Sequence, residues 1–75
     1  MALFHLAVGT TAIIDRVEAP PSIARRLSDL GFIPGTPVTS IRRAPLGDPG
    51  VYEIRGVQYC LRRSEAGAIQ VRGGE

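Results

Sequence analysis

The sequence has no lysine, a single cysteine and no uninterrupted apolar run of membrane-spanning length, and each absence removes a class of protein. A lone Cys60 cannot close an internal disulfide, which excludes disulfide-stapled secreted scaffolds and fits a reducing compartment. A spanning helix needs about 20 consecutive apolar residues. The apolar opening Met1 to Val8 instead carries His5, lacks a basic leader and runs into Gly9-Thr10-Thr11, so no signal peptide and no membrane insertion are expected. All nine basic residues are arginine, set against seven acids for a net charge of +2. Alongside abundant Gly, Ala and Pro, the missing lysine reads as codon composition. The small positive excess is scattered over separate sites, whereas a nucleic-acid binder clusters its phosphate contacts, so no nucleic-acid partner is expected.

Catalytic signatures are missing as well. Gly47-Asp48-Pro49-Gly50 lacks the lysine and following helix of a phosphate-binding loop. His5, Asp48, Cys60 and Glu65 are candidate metal ligands, but none lies at a recognised ligand spacing, so neither a metal site nor a cofactor is expected. Nothing near Cys60 completes a Cys/His pair, and the reading is that of a non-enzyme. With 75 residues there is no room for a second domain, and residues 1–75 are read as one unit. Chains of this size bury only about 60% of their unfolded surface, which favours surface binding over a roofed catalytic cavity.

What is present is a globular composition, 44% hydrophobic and 21% charged, punctuated by Gly and Pro at short intervals as in a small all-β fold. A strand is expected over Thr11 to Glu18, with Ile13 and Val17 on one face, stopped by Ala19-Pro20-Pro21. Ser22 is a candidate N-cap for a short helix whose stripe is Ile23, Leu27 and Leu30, and Gly31 with Phe32 supplies a Schellman stop. Ile33-Pro34-Gly35-Thr36 has the residues of a type II turn. In the strand Val38 to Arg43, Val38 and Ile41 have opposite parity, which predicts a bulge or a curved strand. After the loop Ala44 to Gly50, a hairpin is expected from Val51–Arg55 to Gln58–Arg63, linked by Gly56-Val57 as a type II′ turn with Tyr59 and Leu61 facing the core. A helical turn over Ser64–Gly67 and a last strand Ala68–Arg72, with Ile69 and Val71 inward, complete the chain. Five strands, one helix after the first and a turn before the last define a mainly β fold, a small five-stranded, partly open SH3-like barrel.

Three blocks carry a family resemblance: Leu27-Ser28-Asp29-Leu30-Gly31-Phe32-Ile33-Pro34-Gly35-Thr36, then Arg43-Ala44-Pro45-Leu46-Gly47-Asp48-Pro49, then Leu61-Arg62-Arg63-Ser64-Glu65-Ala66 leading to Ile69-Gln70-Val71. In order and spacing they resemble the FeoA family. The resemblance implies a cytoplasmic accessory protein of bacterial ferrous iron uptake, held at the inner membrane through its partner, the FeoB-type permease with its GTPase domain. The alternative it implies is a free-standing relative of the C-terminal barrel of DtxR-type repressors, binding a protein or peptide. Pro37 and Gly50 depart from the family pattern, and Gly50 is expected to loosen the preceding loop.

The residues assigned to partner binding are Arg25, Arg26, Asp29, Phe32, Arg43, Leu46 and Asp48. Arg25 precedes Asp29 by four, the order that opposes the helix dipole, so mutual pairing explains them poorly and a partner or solvent explains them better. Phe32 follows the helix stop, where a surface position is common. Asp48 reads either as a turn residue bonding its own backbone or as a presented contact above Arg43. Weak self-association through an edge strand stays open.

Overall fold

The protein is described by a computed structural model covering residues 1–73; the last two positions of the expected unit lie outside the described residues. A short 3-10 helix over Leu3–His5 precedes β1 (Thr11–Val17), α1 (Pro21–Leu30), β2 (Pro37–Arg43), β3 (Gly50–Ile54), β4 (Val57–Leu61), α2 (Arg63–Ala66) and β5 (Ile69–Gly73). The strands form one antiparallel sheet in the order β4-β3-β2-β1-β5. The expected barrel is therefore open: β4 and β5 are the two ends of the sheet and share no ladder. The segment joining them is spent on α2, and the outer edge of β5 is taken by the N-terminus, where Met1 and Val71 exchange main-chain hydrogen bonds and Ala2 bridges Gln70.

Two bulges bend the sheet. In β2 the register passes from Ser40 opposite Tyr52 to Arg42 opposite Val51, leaving Ile41 as the extra residue that the parity of the strand predicts. In β1 it passes from Ile14 opposite Val71 to Arg16 opposite Gln70, with Asp15 extra. This second bulge corrects the inward face of β1. Ala12 and Ile14 are buried before it and Val17 turns inward after it, while Ile13 lies on the other face.

Helix α1 starts one residue before Ser22. Pro21 occupies N1, where its fixed φ suits the helix and its missing N–H is not needed, so Ser22 falls inside the first turn and makes no cap. The stop is as expected: Gly31 sits at φ 110°, its N–H bonds Ser28 O, and Phe32 N–H bonds Leu27 O, the two bonds of a Schellman motif. Gly35, at φ 91°, closes the Ile33–Thr36 turn. The β3–β4 link is Arg55-Gly56 and not Gly56-Val57: Ile54 pairs with Val57 and both turn residues have positive φ, 52° and 79°. That is a type I′ turn, whose twist matches that of the strands.

The core gathers Leu3, Leu6, Ile14, Leu27, Phe32, Val38, Tyr52, Ile54, Leu61, Ile69 and Val71, with Tyr59 packed against it edge-on to Phe32. Ile69, Val71 and Leu61 point inward as the alternation requires, and Cys60 points out. Gly50 is in β3, opposite Arg43 and Leu61, and does not belong to the loop it was expected to loosen. Its missing side chain leaves space for Tyr52, whose hydroxyl would lie 2.7 Å from a Cβ placed there.

Candidate functional site

The exposed chemistry concentrates where the 44–49 loop, α2 and the N-terminal turn meet. Gly47 N–H bonds Ala44 O and Ala44 N–H bonds Pro49 O, so the loop is held by its own backbone at both ends. Pro45 and Leu46 form its tip, and Leu46 is 97% exposed. Asp48 does not bond its own backbone. Its carboxylate accepts the Arg63 N–H at 3.0 Å, an otherwise orphaned donor of the first turn of α2. Glu65 accepts the Arg62 N–H at 3.0 Å and also the guanidinium of Arg26, tying α2 to α1.

Arg43 turns inward. Its guanidinium donates to the carbonyls of Phe4 and Leu6 and lies 4.6 Å from the centre of the Phe4 ring, while that of Arg63 lies 4.8 Å from the same centre. Arg43 thus clamps the N-terminal turn to the end of β2 and is not a presented contact. Its Nε, the Tyr52 hydroxyl and Ser40 Oγ are buried without hydrogen-bond partners among the protein atoms. Burial pushes the Tyr52 phenol above its ordinary pKa, against the pull of nearby Arg43 and with a smaller push from Asp48.

Two shallow grooves flank this junction. One, about 630 Å3, is lined by Ala2, Phe4, His5, Asp48, Arg62 and Arg63 among others. The second, about 550 Å3, is lined by Arg26, Asp48, Pro49, Cys60, Arg62 and Glu65. Among the described residues no group of three or more His, Cys, Asp and Glu stands close enough to hold a metal ion. No helix is long and apolar enough to cross a membrane. Arginine guanidiniums, an aromatic ring and an exposed leucine are groups that recognise charge and apolar surface.

Of the residues assigned from sequence, Arg26, Arg43 and Asp48 meet at this junction and Leu46 projects from it. Arg25 and Asp29 are exposed on α1 and form no ion pair with each other. Phe32 has to be withdrawn as a surface contact: it is 0% exposed, because the left-handed turn at Gly31 drives its ring into the core against Tyr59. Phe4, Arg62, Arg63 and the bracing role of Glu65 were not assigned. Glu65 had a readable signal, a carboxylate three residues into a short helix, where it meets the free N–H at the helix entry.

A small, mainly β domain built on one open five-stranded antiparallel sheet is the class defined by this fold. Residues 1–73 match the FeoA domain, and the chain belongs to the FeoA family. It is 38% identical over 71 residues to a Fe(2+) transport protein A/Fe(2+) transporter FeoB fusion protein of Porphyromonas gingivalis, a match covering 95% of this chain and 8% of that much longer one. Among solved structures, FeoA from Chlorobium tepidum is 41% identical with a TM-score of 0.88, over 95% of this chain and 68% of that one. FeoA from Stenotrophomonas maltophilia, a zinc complex described as a prokaryotic SH3 domain protein, is 34% identical with a TM-score of 0.86, over 96% and 89%.

Proposed function

We propose that this chain is a non-catalytic accessory protein of ferrous iron uptake that docks on the cytoplasmic part of a FeoB-type GTPase permease, as a single SH3-like unit held at the inner membrane by that contact. The observation that carries the reading is the Porphyromonas gingivalis relative, which joins a region like this chain to FeoB in one polypeptide. A fused pair meets at an effective concentration of the order of millimolar, an arrangement that serves partners which act together. Iron is then the cargo of the permease.

The docking surface is the 44–49 loop with the exposed face of α1. Leu46 supplies an apolar anchor on a loop braced through Asp48, so little ordering entropy is lost on contact. Arg25, Arg26 and Asp29 supply charge on α1, where Arg26 lines a groove with Asp48 and Pro49, and Arg43 precedes the loop at the end of β2 and holds the N-terminal turn. The test is recovery of the detergent-solubilised permease on the immobilised chain, with and without guanine nucleotide. Leu46→Asp and the double variant Arg25→Glu/Arg26→Glu are each expected to reduce recovery about tenfold, or 1.4 kcal/mol. Absence of the permease from every eluate, wild type included, overturns the reading.

A further inference from the structure

The two edges of the sheet are treated differently. The edge of β5 is covered by the chain itself, through Met1, Ala2 and their bonds to Val71 and Gln70. Among the described residues the edge of β4 carries no such cover, and its one ladder is with β3. Ile54 and Val57 close a two-residue turn, so Val57, Tyr59 and Leu61 direct their main-chain groups to β3 while Gln58 and Cys60 direct theirs outward. Both outward residues are exposed. Such an edge is a template for a further strand unless its flanks repel one.

The flanks are positive. Arg55 stands at the turn and Arg62 at the far end; both are exposed and neither enters an ion pair among the described residues. Between them Val57–Leu61 bears no charge. The neighbouring grooves also hold two acids, Asp48 on the Arg63 N–H and Glu65 on the Arg62 N–H and Arg26; set against Arg26, Arg62 and Arg63 they leave this end with a net positive charge. A second copy brings an edge with the same Arg55 and Arg62 and no acid within Val57–Leu61, so it offers neither arginine a carboxylate. An extended segment with a carboxylate near each end matches the edge in length and sign, because five residues of strand span about 17 Å.

We propose that the outer edge of β4 takes an extended, acidic-ended segment of a partner protein as a sixth strand, paired through the main chain of Gln58 and Cys60 and flanked by Arg55 and Arg62. The pairing does not use the tip of the 44–49 loop, so Leu46→Asp separates it from the docking reading above, whereas Arg26 lines the groove beside Cys60 and Arg62 and is common to both surfaces.

The probe is the blocked peptide Glu-Thr-Val-Thr-Val-Glu titrated into the 15N-labelled full chain. At saturation the Gln58 and Cys60 amides are expected to exchange with solvent about tenfold more slowly. Gln58→Pro removes an outward N–H that β3 does not use, a place where an edge strand tolerates proline, and is expected to weaken the peptide about tenfold or more. A peptide N-methylated at all four central residues, which blocks both of its edges, tests the same pairing without altering the protein, and a Lys-ended peptide tests the charge; each is expected to bind about tenfold more weakly or worse. Equal affinity of the N-methylated peptide overturns the proposal. So does protection that maps to the loop around Leu46, or concentration-dependent protection of Gln58 and Cys60 without peptide, which assigns the edge to a second copy. Loss of permease recovery with Leu46→Asp beside unchanged peptide binding supports both readings, and loss of peptide binding in that variant overturns the edge assignment.

Discussion

The carboxylate of Asp48 accepts the main-chain N–H of Arg63 at 3.0 Å, so the loop after β2 ends by capping the helix before β5. Two parts of the chain that are 15 residues apart are fixed to each other by one side chain. Replacement by alanine is expected to cost about 1 kcal/mol, as for other lost caps, and replacement by asparagine less, because the amide oxygen still accepts. Urea unfolding of the three proteins measures the difference. The Gly47 amide, bonded to Ala44 O, should exchange faster in the alanine variant.

Arg43 holds the carbonyls of Phe4 and Leu6 with one guanidinium. Methionine keeps the stem but leaves both acceptors without their charged donor, and a loss of about 2 kcal/mol is expected for bonds of this kind. Lysine restores a charge without the planar fork and is expected to recover only part. Thermal unfolding reports the cost, and faster exchange of the Leu6 amide locates it at the N-terminal turn.

Gly50→Ala puts a Cβ within 2.9 Å of three atoms of the Tyr52 ring and hydroxyl. The strand must shift or the ring must move, and a destabilisation of about 1–3 kcal/mol is expected, the usual range for overpacking. The double variant with Tyr52→Leu should be less destabilised than the two single changes summed. A double-mutant cycle by urea unfolding measures that coupling, and simple additivity would contradict the assigned contact.

Burial raises the Tyr52 phenol above its ordinary value near 10, so between pH about 10 and the folded value the native state keeps a proton that the unfolded state releases. Stability from this group is complete below pH about 10 and falls as pH rises, by at most about 1.4 kcal/mol per unit. Tyr52→Phe, which removes a buried hydroxyl without a partner, should be neutral or slightly stabilising at pH 7 and should lose less stability above pH 10. Parallel melting curves of the two proteins at alkaline pH would refute this.

Phe32→Ala is expected to lower stability by about 3–5 kcal/mol, the cost of emptying a buried aromatic site. Any accompanying loss of partner binding should follow the unfolded fraction, measured by circular dichroism at the assay temperature. A fully folded alanine variant that fails to bind would return Phe32 to the surface.

Where local chemistry decides, the sequence was readable. Gly31 and Gly35 mark the helix stop and the turn after it because only glycine sits easily at positive φ, and the parity break between Val38 and Ile41 announces the bulge in β2. The bulge at Asp15 gave no such sign, since Ile13, Ile14 and Val17 satisfy either face until β5 sets the register. The β3–β4 turn was read one residue late because Gly56 suits either a I′ or a II′ turn, and the choice lies in Arg55 accepting φ 52°. At the junction, Leu46 and Asp48 were legible as loop residues with exposed or polar side chains. The inward reach of Arg43 was not, because its acceptors are main-chain carbonyls that look alike in any sequence.

Glu65 divides its two oxygens between Arg62 N–H on one side and the Arg26 guanidinium on the other. Among the described residues no other side-chain hydrogen bond ties α1 to another element. A partner that grips Arg26 with its own carboxylate must therefore take it from Glu65. Such a grip opens the side-chain link between the two helices while Leu27 stays in the core and the entry to α2 stays intact, so docking at α1 trades an internal ion pair for an external one.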